Sequence, residues 1–220
     1  MDKMEALVDT VFLQNLSSKG KRLDDFKRII EELNYRPVIH PYIANHELDM
    51  FDGLQILEKE GFVRIAKYEE FLQCKIDEQL YEEYFQQAHD ELREKLEQSS
   101  KGKNIEPLIL PKGVSVLKYH KAGMSLGDVH LILMASFVGI PIILTDDSDI
   151  ELLKGIAKKY SYSQHEIEIM GSIEVLEKIA SKEHPKLTKK ELVDIAKNAG
   201  KAKQKSRIKQ AWNRAHGEST

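Results

Sequence analysis

The chain has 220 residues, 41% hydrophobic and 31% charged, which suits one generous domain, or one domain with a tail, and excludes a disordered polypeptide. No run reaches the ~18 apolar residues of a membrane-spanning helix, because the longest, Leu131 to Leu144, is broken by Ser136, Gly139 and Pro141. Cys74 is the single cysteine, so an internal disulfide and a multi-thiolate zinc site are excluded, and a reducing cytoplasm is the expected compartment.

The opening Met1-Asp2-Lys3-Met4-Glu5 has neither the basic patch nor the apolar stretch of a cleaved secretion signal, so none is expected. The net charge of −3 conceals an asymmetry. Residues 186–220 carry ten Lys and Arg against three acids, an excess of seven bases, which leaves the preceding body with an excess of ten acids. A basic tail on an acidic body suits a polyanionic partner without identifying one.

Ala6-Leu7-Val8 reads as a buried strand ending at Asp9, followed by a helix carrying Val11, Phe12 and Leu16. Leu23 to Asn34 places Phe26, Ile29, Ile30 and Leu33 on one helical face. Arg36 to Ile39 is a second strand, and Pro41 opens a helix carrying Ile43, Glu47 and Leu48. A helix over Leu54–Glu60 stops at Gly61. Phe62 to Ile65 alternates as an edge strand, and Tyr68 to Gln98 reads as one long amphipathic helix or a helical pair, with Cys74 as a structural residue in it. Residues 99–104 form a loop.

Ser125 is the expected N-cap of an almost wholly apolar helix, Leu126–Val138, with Gly139 after its end. Ile140 to Thr145 is a buried strand running into Asp146-Asp147-Ser148-Asp149, and Ile150 to Lys159 returns as a helix. Glu166 to Met170 alternates as a strand, with Ser172 capping the next helix. Thr188 and Glu191 have capping-box spacing for a helix through Ala199, and a last helix covers Lys201–Arg214. Strands alternating with helices of this length give an α/β fold with a parallel sheet covered by helices.

Asp9 and Asp147 each follow a strand, and Asp128 sits in the first turn of the helix leading into the second of those strands. Ligands of open parallel sheets bind outside the carboxyl ends of the strands, where Asp9 and Asp147 meet if their strands are neighbours. Two carboxylates about 4 Å apart repel by about 4 kcal/mol at an effective dielectric of about 20. A cluster therefore calls for a cation or for raised pKa values, and oxygen donors alone favour Mg²⁺ or Mn²⁺. Each acid also has a plainer reading. Asp128, three residues after Ser125, fits a capping box; Asp146, Asp147 and Asp149 fit an Asx turn or N-cap; Asp9 fits a simple strand end, and Glu47 a solvated helix surface.

Four segments together resemble the PIN-domain nucleases: Leu7-Val8-Asp9-Thr10, the stretch His40 to Leu48 containing Glu47, Leu126 to Ala135 containing Asp128, and Gly139 to Ile150 with its "T-x-D-x-D". They span residues 7 to about 180 in the family's order. The resemblance implies a three-layer α/β/α sandwich with a mainly parallel sheet over residues 1–185, a largely helical insertion at 62–121, and a basic helical extension at 186–220. It implies a Mg²⁺- or Mn²⁺-dependent endoribonuclease in which Asp9, Glu47, Asp128 and Asp147 ring the metal with Asp149 as helper. Thr10 matches the hydroxyl residue that supports the first aspartate. Val11 departs from the family pattern after "D-T", which puts that support in question. The insertion and the extension also exceed the compact family members, and the insertion is a candidate lid, substrate arm or surface for a protein partner or inhibitor.

Other signatures fail. His46-Glu47 lacks the second histidine of HExxH because position 50 is Met50, and neither Gly20-Lys21 nor Gly102-Lys103 has the upstream glycine of a phosphate loop. His130, on another face of its helix from Asp128, reads as a core or boundary residue. In the tail, Ile208, Ala211, Trp212 and Ala215 form a stripe suited to docking on the domain. Lys201, Lys203, Lys205, Arg207 and Lys209 are available to nucleic-acid phosphates, with Trp212 as the alternative stacking residue. Two further functions stay open from the residues: a non-catalytic PIN-like module that binds RNA or protein, and an acidic-site phosphatase on a similar sheet.

Overall fold

The structure, a computed structural model, describes residues 3–99, 105–147, 149–159 and 166–217. β1 (Met4–Val8) is the centre of the sheet, and its Ala6, Leu7 and Val8 are fully buried, as a strand covered on both faces requires. It is followed by α1 (Thr10–Leu16) and α2 (Leu23–Leu33), which buries Phe26, Ile29 and Ile30 at the expected spacing and ends on Asn34 in the left-handed conformation. β2 (Tyr35–Ile39) leads to α3 (Pro41–His46), with Pro41 in its first turn and His40 Nδ1 accepting from the Tyr42 amide at 2.9 Å. The chain continues through α4 (Asp52–Lys59), β3 (Arg64–Ile65), α5 (Lys75–Gln98), α6 (Leu126–Val138), β4 (Ile142–Leu144), α7 (Ile150–Ala157), β5 (Glu168–Met170), α8 (Ser172–Ala180), α9 (Lys189–Asn198) and α10 (Lys205–His216).

Among the described residues five strands form one parallel sheet, in the order β3-β2-β1-β4-β5. Leu7 lies opposite both Val38 and Ile143, and Val8 opposite Leu144. The chain winds from β1 outward to β3, then returns to the other side of β1 with β4 and β5. The winding reverses between β1 and β4, and such a reversal opens a crevice beyond the carboxyl ends of the two strands. The helices fall into two sets that pack among themselves: α1, α2, α8, α9 and α10 in one, and α3, α5, α6 and α7 in the other. Among the described residues no helix is long and apolar enough to cross a membrane.

The stretch 62–121 is built into this body. β3 is an edge strand of the sheet, and α5 packs against α6 and α7 through Tyr81, Phe85, Ala88, Leu92 and Leu96. Residues 105–124 cross back to α6 without regular structure. In the extension, α10 lies on α8 and α9 with Ile208 and Ala211 buried and Trp212 packed against the core, while Ala215 is exposed.

Local expectations are corrected at several points. Ser125 does precede α6, but its backbone is left-handed and its side chain does not cap. Ser172 is the first residue of α8 rather than its cap; Gly171 caps, and its amide donates to Glu174 Oε2 at 2.8 Å. Tyr68 to Gln98 divides into a single 3₁₀ turn and α5, and Cys74 stands exposed at the cap of α5 rather than within a helix. The last helix starts at Lys205, four residues later than the expected Lys201, after a 3₁₀ turn over Ala202–Gln204. Thr188 and Glu191 form the expected capping box. Residues 100–104 of the expected loop and Ser148 lie outside the described residues.

Candidate functional site

The crevice between β1 and β4 gathers acids. Asp9 leaves the end of β1 and caps α1, accepting from the Val11 amide at 3.3 Å. Its own amide donates to the Leu144 carbonyl at 2.9 Å, which locks the two strand ends together. Thr145, buried just past β4, donates its hydroxyl to Asp9 Oδ2 at 2.9 Å. The same hydroxyl oxygen accepts from the Asp147 amide at 3.1 Å. Thr145 therefore holds the first and fourth predicted acids in register, a role that its place at the end of a strand did not announce.

Glu47 comes in from the C-terminal end of α3. Thr10 donates its hydroxyl to Glu47 Oε2 at 2.6 Å, so Thr10 supports the second acid and not, as the resemblance implies, the first through its side chain. The Val11 side chain is exposed, and only its backbone serves Asp9. On its other side Glu47 lies against the first turn of α6, where a β-carbon built on Gly127 would overlap Glu47 Oε1. Gly127 is thus the residue that admits the carboxylate, and half-buried Asp128 follows it in the same turn.

The electrostatics record the crowding. Burial, and then the charge of Glu47, push Asp9 up from 3.8 to about 7, against the opposing help of the Thr145 hydroxyl and the Thr10 and Val11 amides. Glu47 is raised by burial, with Asp147 adding to the effect and the Thr10 hydroxyl and His120 opposing it. Asp9, Glu47 and Asp147 have no Lys or Arg partner among the described residues.

Asp146 behaves differently. Its carboxylate accepts from Asn15 Nδ2 at 2.9 Å and the Ser172 amide at 2.8 Å, and Lys201 Nζ lies 3.7 Å away. It ties α1, α8 and the extension together. Asp147 Oδ1 accepts from the Asp149 amide at 2.7 Å, the Asx-type turn that is one expectation for this segment, and Asp149 is buried at the start of α7.

The donors around Asp9 are oxygens, and Asp9, Glu47 and Asp147 are paired with no Lys or Arg among the described residues, which fits a hard divalent cation by chemistry. Among the described residues, no three His, Cys, Asp or Glu side chains stand close enough together to form a metal-holding group as placed.

The tail residues are arranged otherwise. Arg207 is held in a fork by Glu177 at 2.8 and 2.7 Å, Lys201 lies beside Asp146, and Trp212 packs on the core with the His216 ring 4.2 Å away. Lys203, Lys205 and Lys209 are exposed.

Four of the histidines, scattered along the chain, come together around Tyr42. His40 and His130 stack in the core at 4.8 Å, and Tyr81 OH lies 2.8 Å from His130 Nδ1. Burial drives both imidazoles down, His40 to about 3. Beside Glu47, His46 and His120 stack at 5.0 Å with planes 9° apart, and Tyr42 OH lies 2.9 Å from His120 Nδ1.

Compared with known proteins, the chain matches no family model, no curated protein and no solved structure.

Proposed function

We propose that this chain is a PIN-like, divalent-metal-dependent endoribonuclease. One observation carries the reading: a buried aspartate at the strand switch point, raised to about 7 by burial and by a second carboxylate, with no Lys or Arg beside it among the described residues. A protein gains nothing in stability from such a carboxylate, because the cost of burial is met neither by a cation nor by an ion pair. Catalytic sites are where such costs are retained.

Asp9, Glu47, Asp128 and Asp147 are the residues that would hold Mg²⁺ or Mn²⁺, with Asp149 supporting Asp147 through its amide. When bound, such an ion makes a water nucleophilic near neutral pH and offsets charge on a phosphodiester under attack. The chain's own contribution is placement. Thr145 fixes Asp9 and Asp147 from one hydroxyl, Thr10 fixes Glu47, and Gly127 leaves the space that Glu47 occupies.

Calorimetric titration of Mn²⁺, run beside cleavage of a single-stranded RNA, tests the reading. Wild-type chain is expected to bind Mn²⁺ and cut, and Asp9→Asn to do neither while remaining folded, since Asn is also a good N-cap. Undiminished cleavage by Asp9→Asn overturns the assignment. No Mn²⁺ binding by wild type leaves the non-catalytic module, and turnover of phosphomonoesters without RNA cleavage leaves the phosphatase.

A further inference from the structure

The loop before α6 carries Lys112, Lys118 and His120, all exposed, and the two lysines make no ion pair among the described residues. His120 is not a loose surface side chain. Its ring is anchored from behind by Tyr42 OH, where Tyr42 itself is buried, and stacked on His46, which closes α3 next to Glu47. His46 and Tyr42 are in turn packed together at 4.8 Å. His120 also lies near enough to Glu47 to favour its ionised form.

The rim of the acidic crevice thus presents a rigid stack of two parallel imidazoles, with two exposed lysines on the same loop. Stacked rings on a loop that also carries exposed lysines are the recognition chemistry of unpaired nucleobases joined by phosphates. A base within a duplex has no free face to offer such a platform. The cationic residues of the C-terminal extension are less suited to a strand, since Arg207 is held by Glu177, Lys201 lies beside Asp146, and the Trp212 ring is packed inward.

We infer that His120, backed by His46 and Tyr42, is the platform on which an unpaired base of the substrate stacks, so that the strand is single-stranded and crosses the 112–121 loop on its way to the acidic crevice. The inference rests on the nuclease reading for its substrate but on the ring stack for its geometry. His120 is a positioning residue: it orders the strand and takes no part in bond cleavage.

The test uses the full chain carrying Asp9→Asn, with Mg²⁺ and a single-stranded RNA containing 2-aminopurine, whose fluorescence falls when it stacks. Saturable quenching is expected. Adding His120→Ala is expected to weaken binding by about fivefold or more and remove the quench, and His120→Phe to restore both. In the otherwise wild-type chain, His120→Ala is expected to raise KM by more than it lowers kcat. Unaltered binding and quenching with His120→Ala, failure of His120→Phe to rescue, or equal binding of the matching duplex overturns the platform. Cleavage by wild type that is indifferent to His120 sinks the platform alone. His120-dependent quenching without any cleavage by wild type sinks the nuclease reading and supports the platform.

Discussion

In the C-terminal extension, Arg207 is gripped by both oxygens of Glu177, Lys201 lies against Asp146, Lys197 bonds Asp194 at 2.7 Å and Glu191 receives Arg28 at 2.5 Å. At the crevice between β1 and β4, Asp9, Glu47 and Asp147 have hydroxyls and amides around them but no Lys or Arg among the described residues. The two regions contrast charges paired within the chain with charges that, on the proposed reading, are kept for a ligand. Structural charges find partners within the chain, mostly at the surface, where each pair contributes little. On the proposed reading Asp9 stays buried without a cationic partner for the sake of a ligand, and stability suffers for it. The adjacent Asp146 and Asp147 put the contrast side by side.

The sharpest way to break the comparison is at Gly127. In Gly127→Ala the new methyl meets only the end of a flexible side chain, and alanine favours a helix, so stability should hold or rise. Glu47 must move, however, and if it holds the metal as proposed, its displacement lowers kcat by about a hundredfold. Melting and cleavage measured on one preparation separate the two; equal loss of both would make Glu47 structural.

Asp146→Ala should cost about 1–3 kcal/mol, because the Ser172 amide and Asn15 lose a buried acceptor, while Asp147→Asn should cost less and remove Mn²⁺-dependent activity. Urea unfolding of both variants checks the order. If Asp147→Asn proved the more destabilising, the division between anchor and ligand would be reversed.

The pH dependence sharpens the same point. The unfolded chain ionises Asp9 near 3.8 and the folded chain near 7, so folding loses stability as pH climbs between those values, and Asp9→Asn should gain on wild type across that window without metal. His40 acts in the opposite direction. Its folded value of about 3 lies below the unfolded 6.5, so the stability it contributes is complete above 6.5 and is lost as pH falls toward 3. Melts from pH 4 to 8 read both; a constant difference between Asp9→Asn and wild type would contradict the buried charge.

The smallest effect is expected at Arg207→Ala. An exposed ion pair contributes about 1 kcal/mol or less, so melting should move little. A large loss of RNA affinity in this variant would return the extension to the substrate path.

Much of the fold was legible because period and punctuation agreed: the α2 face, Gly139 after α6, and the Thr188–Glu191 box all depend on neighbours in the chain. Strand ends fixed where Asp9 and Asp147 would lie, given a parallel sheet. What could not be read depends on contacts between distant segments. Nothing local tells that Thr10 serves Glu47, that Asp146 rather than Asp147 meets the Ser172 amide, or that His46 and His120 share a stack. Gly127 stands within the Leu126–Ala135 motif, yet its purpose is visible only once Glu47 lies against it. The left-handed backbone of Ser125 overrode its good capping chemistry, which sequence spacing cannot report.

The most direct measurement is the Mn²⁺ dependence of melting temperature in wild-type chain and in Asp9→Asn. A cation that relieves carboxylate repulsion stabilises only the state that binds it. Asp9→Asn is expected to melt higher than wild type at pH 7 without metal, and Mn²⁺ is expected to raise the wild type while leaving the variant where it was. Equal responses of the two proteins to Mn²⁺, or no response from either, would contradict this.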